Sequence, residues 1–141
     1  MLFIMLDNFQ IKRIGVIKKQ GETVAIEIHD EYKGGLLGLD QFSHIAVFYW
    51  FQNNDTIENR KVLQVHPRGN KKNPLTGVFA TRSPKRPNLI GMSVCKILSI
   101  DETIIHIEKI DAFNGTPVID IKPYMPAIDT VSNANTPGWV P

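Results

Sequence analysis

Between Asn59 and Ile100 the chain carries nine basic residues and no aspartate or glutamate: Arg60, Lys61, Arg68, Lys71, Lys72, Arg82, Lys85, Arg86 and Lys96. A one-sign block of this kind is either the footprint of a polyanion such as nucleic acid or a solvated basic face. The remainder holds seven of the 16 basic residues and all 14 acidic ones, so a +9 centre and −7 flanks sum to a net charge of only +2. The densest part, His66 to Pro87, contains Pro67, Pro74, Pro84 and Pro87 together with Gly69 and Gly77. Long irregular stretches in compact domains are functional or disordered, and here the prolines and Phe79 favour an ordered functional loop. Other chemistries are missing their motifs: there is no Gly-x-Gly-x-x-Gly, Walker A, Gly-x-Ser-x-Gly or His-Glu-x-x-His pattern. The single cysteine, Cys95, has no internal disulfide partner, and the cysteine and histidine spacing builds no zinc site. A metal-free fold in a reducing compartment, the cytoplasm, is expected.

The elements that must hold these loops are short and β-like. With 141 residues, 43% apolar and 21% charged, the chain suits one soluble domain with a real core. Strands are predicted over Ile11–Ile17, Val24–Ile28, Ser43–Phe51, Lys61–Val65, Val94–Ile100, Thr103–Ile110 and Val118–Ile121. Ser43–Phe51 is apolar on both faces and reads as a central buried strand. Asp101–Glu102 suits a hairpin turn, and Gly34–Phe42 has room for one or two helical turns. Many short strands with little helix predict an all-β fold, a small closed or nearly closed β-barrel with long Pro-rich loops. The longest strongly apolar run, Ile45–Phe51, falls far short of the ~20 residues of a membrane span. Met1–Leu6 is apolar but lacks a basic leader and a small-residue cleavage site. After Pro123 a Pro-, Asn- and Ala-rich tail is expected to pack over a surface or meet a partner chain.

Four segments together resemble the TsaA-like, TrmO-type family: Leu39–His44 (LDQFSH), Val65–Asn70 (VHPRGN), Gly77–Val94 (GVFATRSPKRPNLIGMSV) and Ile110–Tyr124 (IDAFNGTPVIDIKPY). The resemblance runs from about Ile14 to Pro126 in the family's order, with 127–141 as a tail. It implies a dimeric β-barrel that uses S-adenosyl-L-methionine to methylate the exocyclic amine of threonylcarbamoyl-adenosine beside the anticodon of a tRNA. Asn114 stands where the family often has aspartate. A family loop resembling Ser-Pro-Phe/Tyr followed by Pro-Arg-Gln-Pro is absent, since Ile17 passes through Lys18–Glu22 directly into Thr23. The other reading is a catalytically silent relative that binds RNA or a small ligand.

The resemblance places cofactor contacts on Gln52, Asn53, Arg82, Met92, Ile110, Asp111, Ala112 and Phe113. The planar fork of Arg82 suits a methionine carboxylate or a phosphate; its plainer role is a bridge to a loop carbonyl. Backbone groups around Asp111–Phe113 suit an adenine edge while Phe113 or Met92 packs on its face, or they belong to the core. Gln52 and Asn53 otherwise simply end a strand. Arg68, Lys71, Lys72, Lys85 and Arg86 are expected to contact tRNA phosphates, with Lys85 or Arg86 alternatively holding the threonylcarbamoyl carboxylate. Methyl transfer needs positioning of the acceptor nitrogen and removal of its proton. Asp111 and Asp120 are the acids in the matched segments, and neither is assigned as the base. His44 reads as a structural hydrogen-bonding residue, and His29 and His106 as strand residues.

Overall fold

The structure is a computed structural model that describes residues 7–141, so the reading of Met1–Leu6 lies outside the described residues. Its strands are β1 (Gly15–Gln20), β2 (Thr23–Ile28), β3 (His44–Trp50), β4 (Gln64–Val65), β5 (Thr76–Gly77), β6 (Ile90–Asp101), β7 (Ile104–Ile107) and β8 (Pro117–Pro123). Six of them close an antiparallel barrel in the order β1-β2-β7-β6-β3-β8, and β4 and β5 form a separate two-stranded sheet. The expected β-barrel is therefore what the chain forms, with closure leaving no open edge.

Tight turns set two of the hairpins. Gln20 pairs with Thr23 around Gly21, whose φ of 61° lies in the left-handed region that glycine enters freely. Asp101 pairs with Ile104, so the second turn is Glu102–Thr103, one residue later than expected. Inward-facing positions alternate along each strand and meet in one core of Ile17, Ile26, Ile45, Val47, Ile105 and Val118, all 0% exposed. Fully burying a side chain of this kind stabilises by about 1.5–3 kcal/mol, so the barrel rests on these positions rather than on its loops. The seam between β1 and β8 is short, Gly15 with Val118 and Val16 with Pro117, and the Ile14 and Ile17 amides extend it to the Val118 and Thr116 carbonyls.

Several elements differ from the sequence reading. The first strand starts at Gly15 rather than Ile11 and runs on to Gln20. The Ser43–Phe51 segment is buried on only one face: Ile45, Val47 and Tyr49 point inward, while Ala46, Phe48 and Trp50 are half-buried outside. Lys61 ends a one-turn helix, α1 (Ile57–Arg60), whose Thr56 cap accepts from the Asn59 amide, so only Gln64–Val65 of the expected 61–65 strand pairs. The strand expected at Val94 begins at Ile90 because β6 is long enough to change partners, pairing β3 as far as Lys96 and β7 from Ile97. Bulges at Leu98 and Ile119 bend β6 and β8 around the barrel. Residues 30–36 and 39–41 form 3-10 turns where one or two helical turns were expected.

Candidate functional site

A cleft of about 640 Å³ opens where β3 ends. Its floor is aromatic: Tyr49 and Phe51 meet edge to face at 5.7 Å, and the Tyr49 hydroxyl bonds Ser93 at 3.0 Å. Burial pushes the Tyr49 phenol above its ordinary range, so it acts here as a neutral hydrogen-bonding group. Gly91 makes this floor possible, because a Cβ there would lie 2.4 Å from Tyr49 Cε2 and 2.7 Å from Phe51 Cζ. Gly91→Ala is accordingly expected to cost about 1–3 kcal/mol by overpacking. Chemical denaturation should show the loss, and unchanged stability would mean that the rings move aside freely.

One wall comes from the motif loop that ends at β6. Val78 and Leu89 are buried and anchor its ends, with the Phe51 amide donating to the Leu89 carbonyl at 2.8 Å. Between them hydroxyl turns fix the backbone: the Ser83 amide donates to Thr81 Oγ1 and the Lys85 amide to Ser83 Oγ. Arg86 folds back, giving two hydrogen bonds of 3.1 Å to the Thr81 and Ser83 carbonyls. The carbonyl-bridging role thus falls to Arg86, and Arg82 is left exposed on the cleft. Among the described residues the ion pairs are Lys33–Glu102, Arg60–Asp55 and Lys122–Asp120, none involving Arg82.

A further wall is the turn after β7. Ala112 is buried, which turns Asp111 and Phe113 outward, and Phe113 is 74% exposed. Lys19 pins this turn twice, its amide donating to Asn114 Oδ1 at 2.8 Å and its Nζ to the Ile110 carbonyl at 2.9 Å. Asparagine and aspartate both supply that acceptor oxygen, so the departure at Asn114 preserves the contact. Gln52 donates from its amide to the Gly115 carbonyl at 3.0 Å and ties the end of β3 to the same turn.

The cleft therefore brings together Gln52, Asn53, Arg82, Met92, Asp111 and Phe113, with Ala112 lining it from below. Ile110 does not line it: its side chain is 8% exposed in the core and its carbonyl is taken by Lys19. The sequence reading passed over Trp50 and Ser93, which also line the cleft. Trp50 donates from Nε1 to Asp55 at 3.0 Å beneath the Arg60 guanidinium, 5.4 Å from its ring.

A second cleft of about 1150 Å³ lies across Arg82, Pro84 and Asp111, which line both. It collects Arg68, Lys71 and Lys85 of the expected RNA contacts. Lys72 lines neither cleft, and Arg86 lines the first and is spent on its own loop. Lys61 and Lys96 are exposed and line neither cleft, so the two clefts gather only part of the basic block. Arg68 sits at φ 61°, followed by Gly69 at 65°, in a loop closed by His66 Nδ1 on the Asn73 carbonyl and Asn73 Nδ2 on the Pro67 carbonyl. Asp120 is engaged with Lys122 at 3.2 Å, whereas Asp111 is the only carboxylate side chain on either cleft among the described residues. His44 bonds Ser43 Oγ at 2.7 Å and packs edge-on to Tyr124, away from both clefts. Cys95 is buried in the barrel, and burial pushes its thiol up to about 11. Among the described residues no cluster of three His, Cys, Asp or Glu could hold a metal ion, and no helix is long and apolar enough to cross a membrane.

A closed antiparallel barrel whose loops build an aromatic cleft beside a basic one defines the class: a small β-barrel with two adjoining clefts at one end of β3 and the motif loop. The chain belongs to the family described as the tRNA-methyltransferase O N-terminal domain, which it matches over residues 8–130. It is 49% identical over 121 residues to a probable S-adenosyl-L-methionine-binding protein of Methanocaldococcus jannaschii, covering 86% of this chain and 96% of that protein. It is 41% identical over 102 residues to a human tRNA (adenine(37)-N6)-methyltransferase, covering 72% of this chain but 22% of that protein. The crystal structure of TrmO from Pseudomonas aeruginosa superposes with a TM-score of 0.71 at 27% identity, covering 91% of this chain and 61% of that one.

Proposed function

We propose that the protein transfers a methyl group from S-adenosyl-L-methionine to the N6 nitrogen of an adenosine in tRNA, the threonylcarbamoyl-adenosine beside the anticodon, in the cytoplasm. The observation that carries this reading is the juxtaposition of the two clefts across Arg82, Pro84 and Asp111. The first has the volume of a small-molecule site, an aromatic floor, exposed Asp111 and Phe113 and a guanidinium that joins no ion pair among the described residues. Those features fit an adenosine joined to an amino-acid carboxylate. When bound, the cofactor supplies an electrophilic methyl group on a sulfonium. Arg82 holds the carboxylate, Phe113 and Met92 cover the adenine, and Gln52 keeps the Asp111–Gly115 turn in place. Arg68, Lys71 and Lys85 hold RNA phosphates on the other side. Asp111 receives the proton of the acceptor nitrogen, its N–H bond breaking as the carboxyl O–H bond forms.

Calorimetry with S-adenosyl-L-methionine tests the cofactor, and mass spectrometry of tRNA nucleosides with and without the gene tests the reaction. No binding at millimolar cofactor by folded protein overturns the reading. Binding without any change in tRNA nucleosides supports the silent relative instead, which the two-residue Gly21–Glu22 turn in place of the family's early loop favours.

The same reading includes a homodimer. Outside the barrel, β3 and β6 present the cross-strand pairs Ala46–Val94, Phe48–Met92 and Trp50–Ile90, and Val94 is 50% exposed. This apolar strip runs to the cleft through Ile90 and Met92, so a second copy seated on it would border the cofactor. Val94→Glu is expected to halve the mass measured by light scattering. A variant that keeps the wild-type mass would place the interface elsewhere.

A further inference from the structure

The chain after Tyr124 runs exposed from Met125 to Gly138, and then Trp139 and Val140 become half-buried. Their contact is the second cleft, whose far wall is made by Thr136 and Trp139–Pro141. A bond from the Val140 amide to the Pro137 carbonyl at 3.1 Å turns the chain into place. Phe79 lines the same cleft and is 81% exposed, although its neighbour Val78 is 1% exposed. The 3-10 turn over Val78–Ala80 thus uses Val78 as an anchor and holds Phe79 out in solvent. Burial does not explain an aromatic side chain displayed in this way, and it lines a cleft with four Lys or Arg side chains and one carboxylate side chain.

We propose that Trp139 and Phe79 form an aromatic platform for an unpaired purine base of the RNA, flanked by Arg68, Lys71 and Lys85 on its phosphates. The tail thereby completes the acceptor site, and Trp139 determines its preference for purines. Stacking on aromatic faces supplies affinity that phosphate contacts alone do not direct to a base, and a cleft holding both chemistries fits a single-stranded nucleotide better than a duplex. This assignment rests on the reading of the protein as acting on RNA.

The test compares wild type, Trp139→Ala and Trp139→Phe for binding of a short single-stranded RNA of anticodon-loop length containing adenosine, and of an all-uridine RNA of equal length. Trp139→Ala is expected to weaken the adenosine RNA by about 5- to 100-fold and to narrow its advantage over the uridine RNA. Trp139→Phe should stay near wild type in affinity but lose the share of RNA-induced indole quenching that Trp139 contributes, leaving only that of Trp50. Cofactor affinity, measured by calorimetry, should be unchanged in both, which also shows that they fold. Lys71→Ala should weaken both RNAs alike and flatten the salt dependence. If wild type binds RNA and Trp139→Ala binds it equally or more tightly, the tail is only a cover or a plug and the assignment is overturned. If wild type with bound cofactor binds no RNA, the functional reading falls and takes this assignment with it.

Discussion

Arg82→Ala is expected to weaken S-adenosyl-L-methionine binding by about 10- to 100-fold while leaving the thermal midpoint nearly unchanged. The magnitude follows from hydrogen bonds to a charged group, worth about 1.5–3 kcal/mol, at about 1.4 kcal/mol per factor of ten. The unchanged stability follows from the structure, since Arg82 is exposed and joins none of the ion pairs among the described residues. Arg82→Lys should recover only part of the affinity, because a point charge replaces a planar fork. Arg86→Ala gives the contrasting result: it removes the brace on the Thr81 and Ser83 carbonyls and should lower stability and cofactor affinity together. Calorimetry and melting curves on the three variants separate these roles. Wild-type cofactor affinity in Arg82→Ala would remove this residue from the site.

Asp111→Asn is expected to slow methyl transfer in single turnover by about 10²- to 10⁴-fold, the usual contribution of a positioned base. Asparagine keeps the shape and the accepting oxygen but cannot take the proton. Cofactor affinity should therefore change much less than the rate, and Asp111→Glu should restore part of it. The residue is singled out by exclusion as well as by place: Asp120 is held by Lys122 and by the Ile121 amide, and among the described residues no other Asp or Glu side chain lines either cleft. A wild-type rate in Asp111→Asn would show that solvent takes the proton.

The barrel was legible because its inward positions alternate with period two, as at Val24, Ile26 and Ile28, and that pattern survives whatever the loops do. Strand ends were harder. Ile90–Ser93 follows Pro84 and Pro87 and includes a glycine, so local signals read as loop, whereas pairing with β3 and the packing of Tyr49 and Phe51 over Gly91 make it strand. The lining of the candidate site was legible where a motif named the residue, as for Arg82, Met92 and Phe113. Which of Arg82 and Arg86 would bridge the loop carbonyls was not, because it depends on where the Thr81 and Ser83 carbonyls point. Alternation in the turn at Ile110–Phe113 sends every second side chain into the core, which removed Ile110 from the cleft. Trp139 was not legible as a site residue: the tail was expected only to pack over a surface or meet a partner chain, and it is the return of the chain to the basic cleft that shows which surface.

The partition formed by Arg82, Pro84 and Asp111 has a thermodynamic consequence. One layer of side chains faces two clefts, so under the proposed function filling either cleft restrains the same guanidinium and the same carboxylate that the other occupant meets. The first molecule to bind bears the ordering of that layer, and the second finds it arranged. Binding free energies linked in this way are reciprocal. Whatever factor the methyl donor contributes to RNA affinity, RNA must return to the methyl donor, and a substitution in the partition will alter that shared factor as well as either affinity alone.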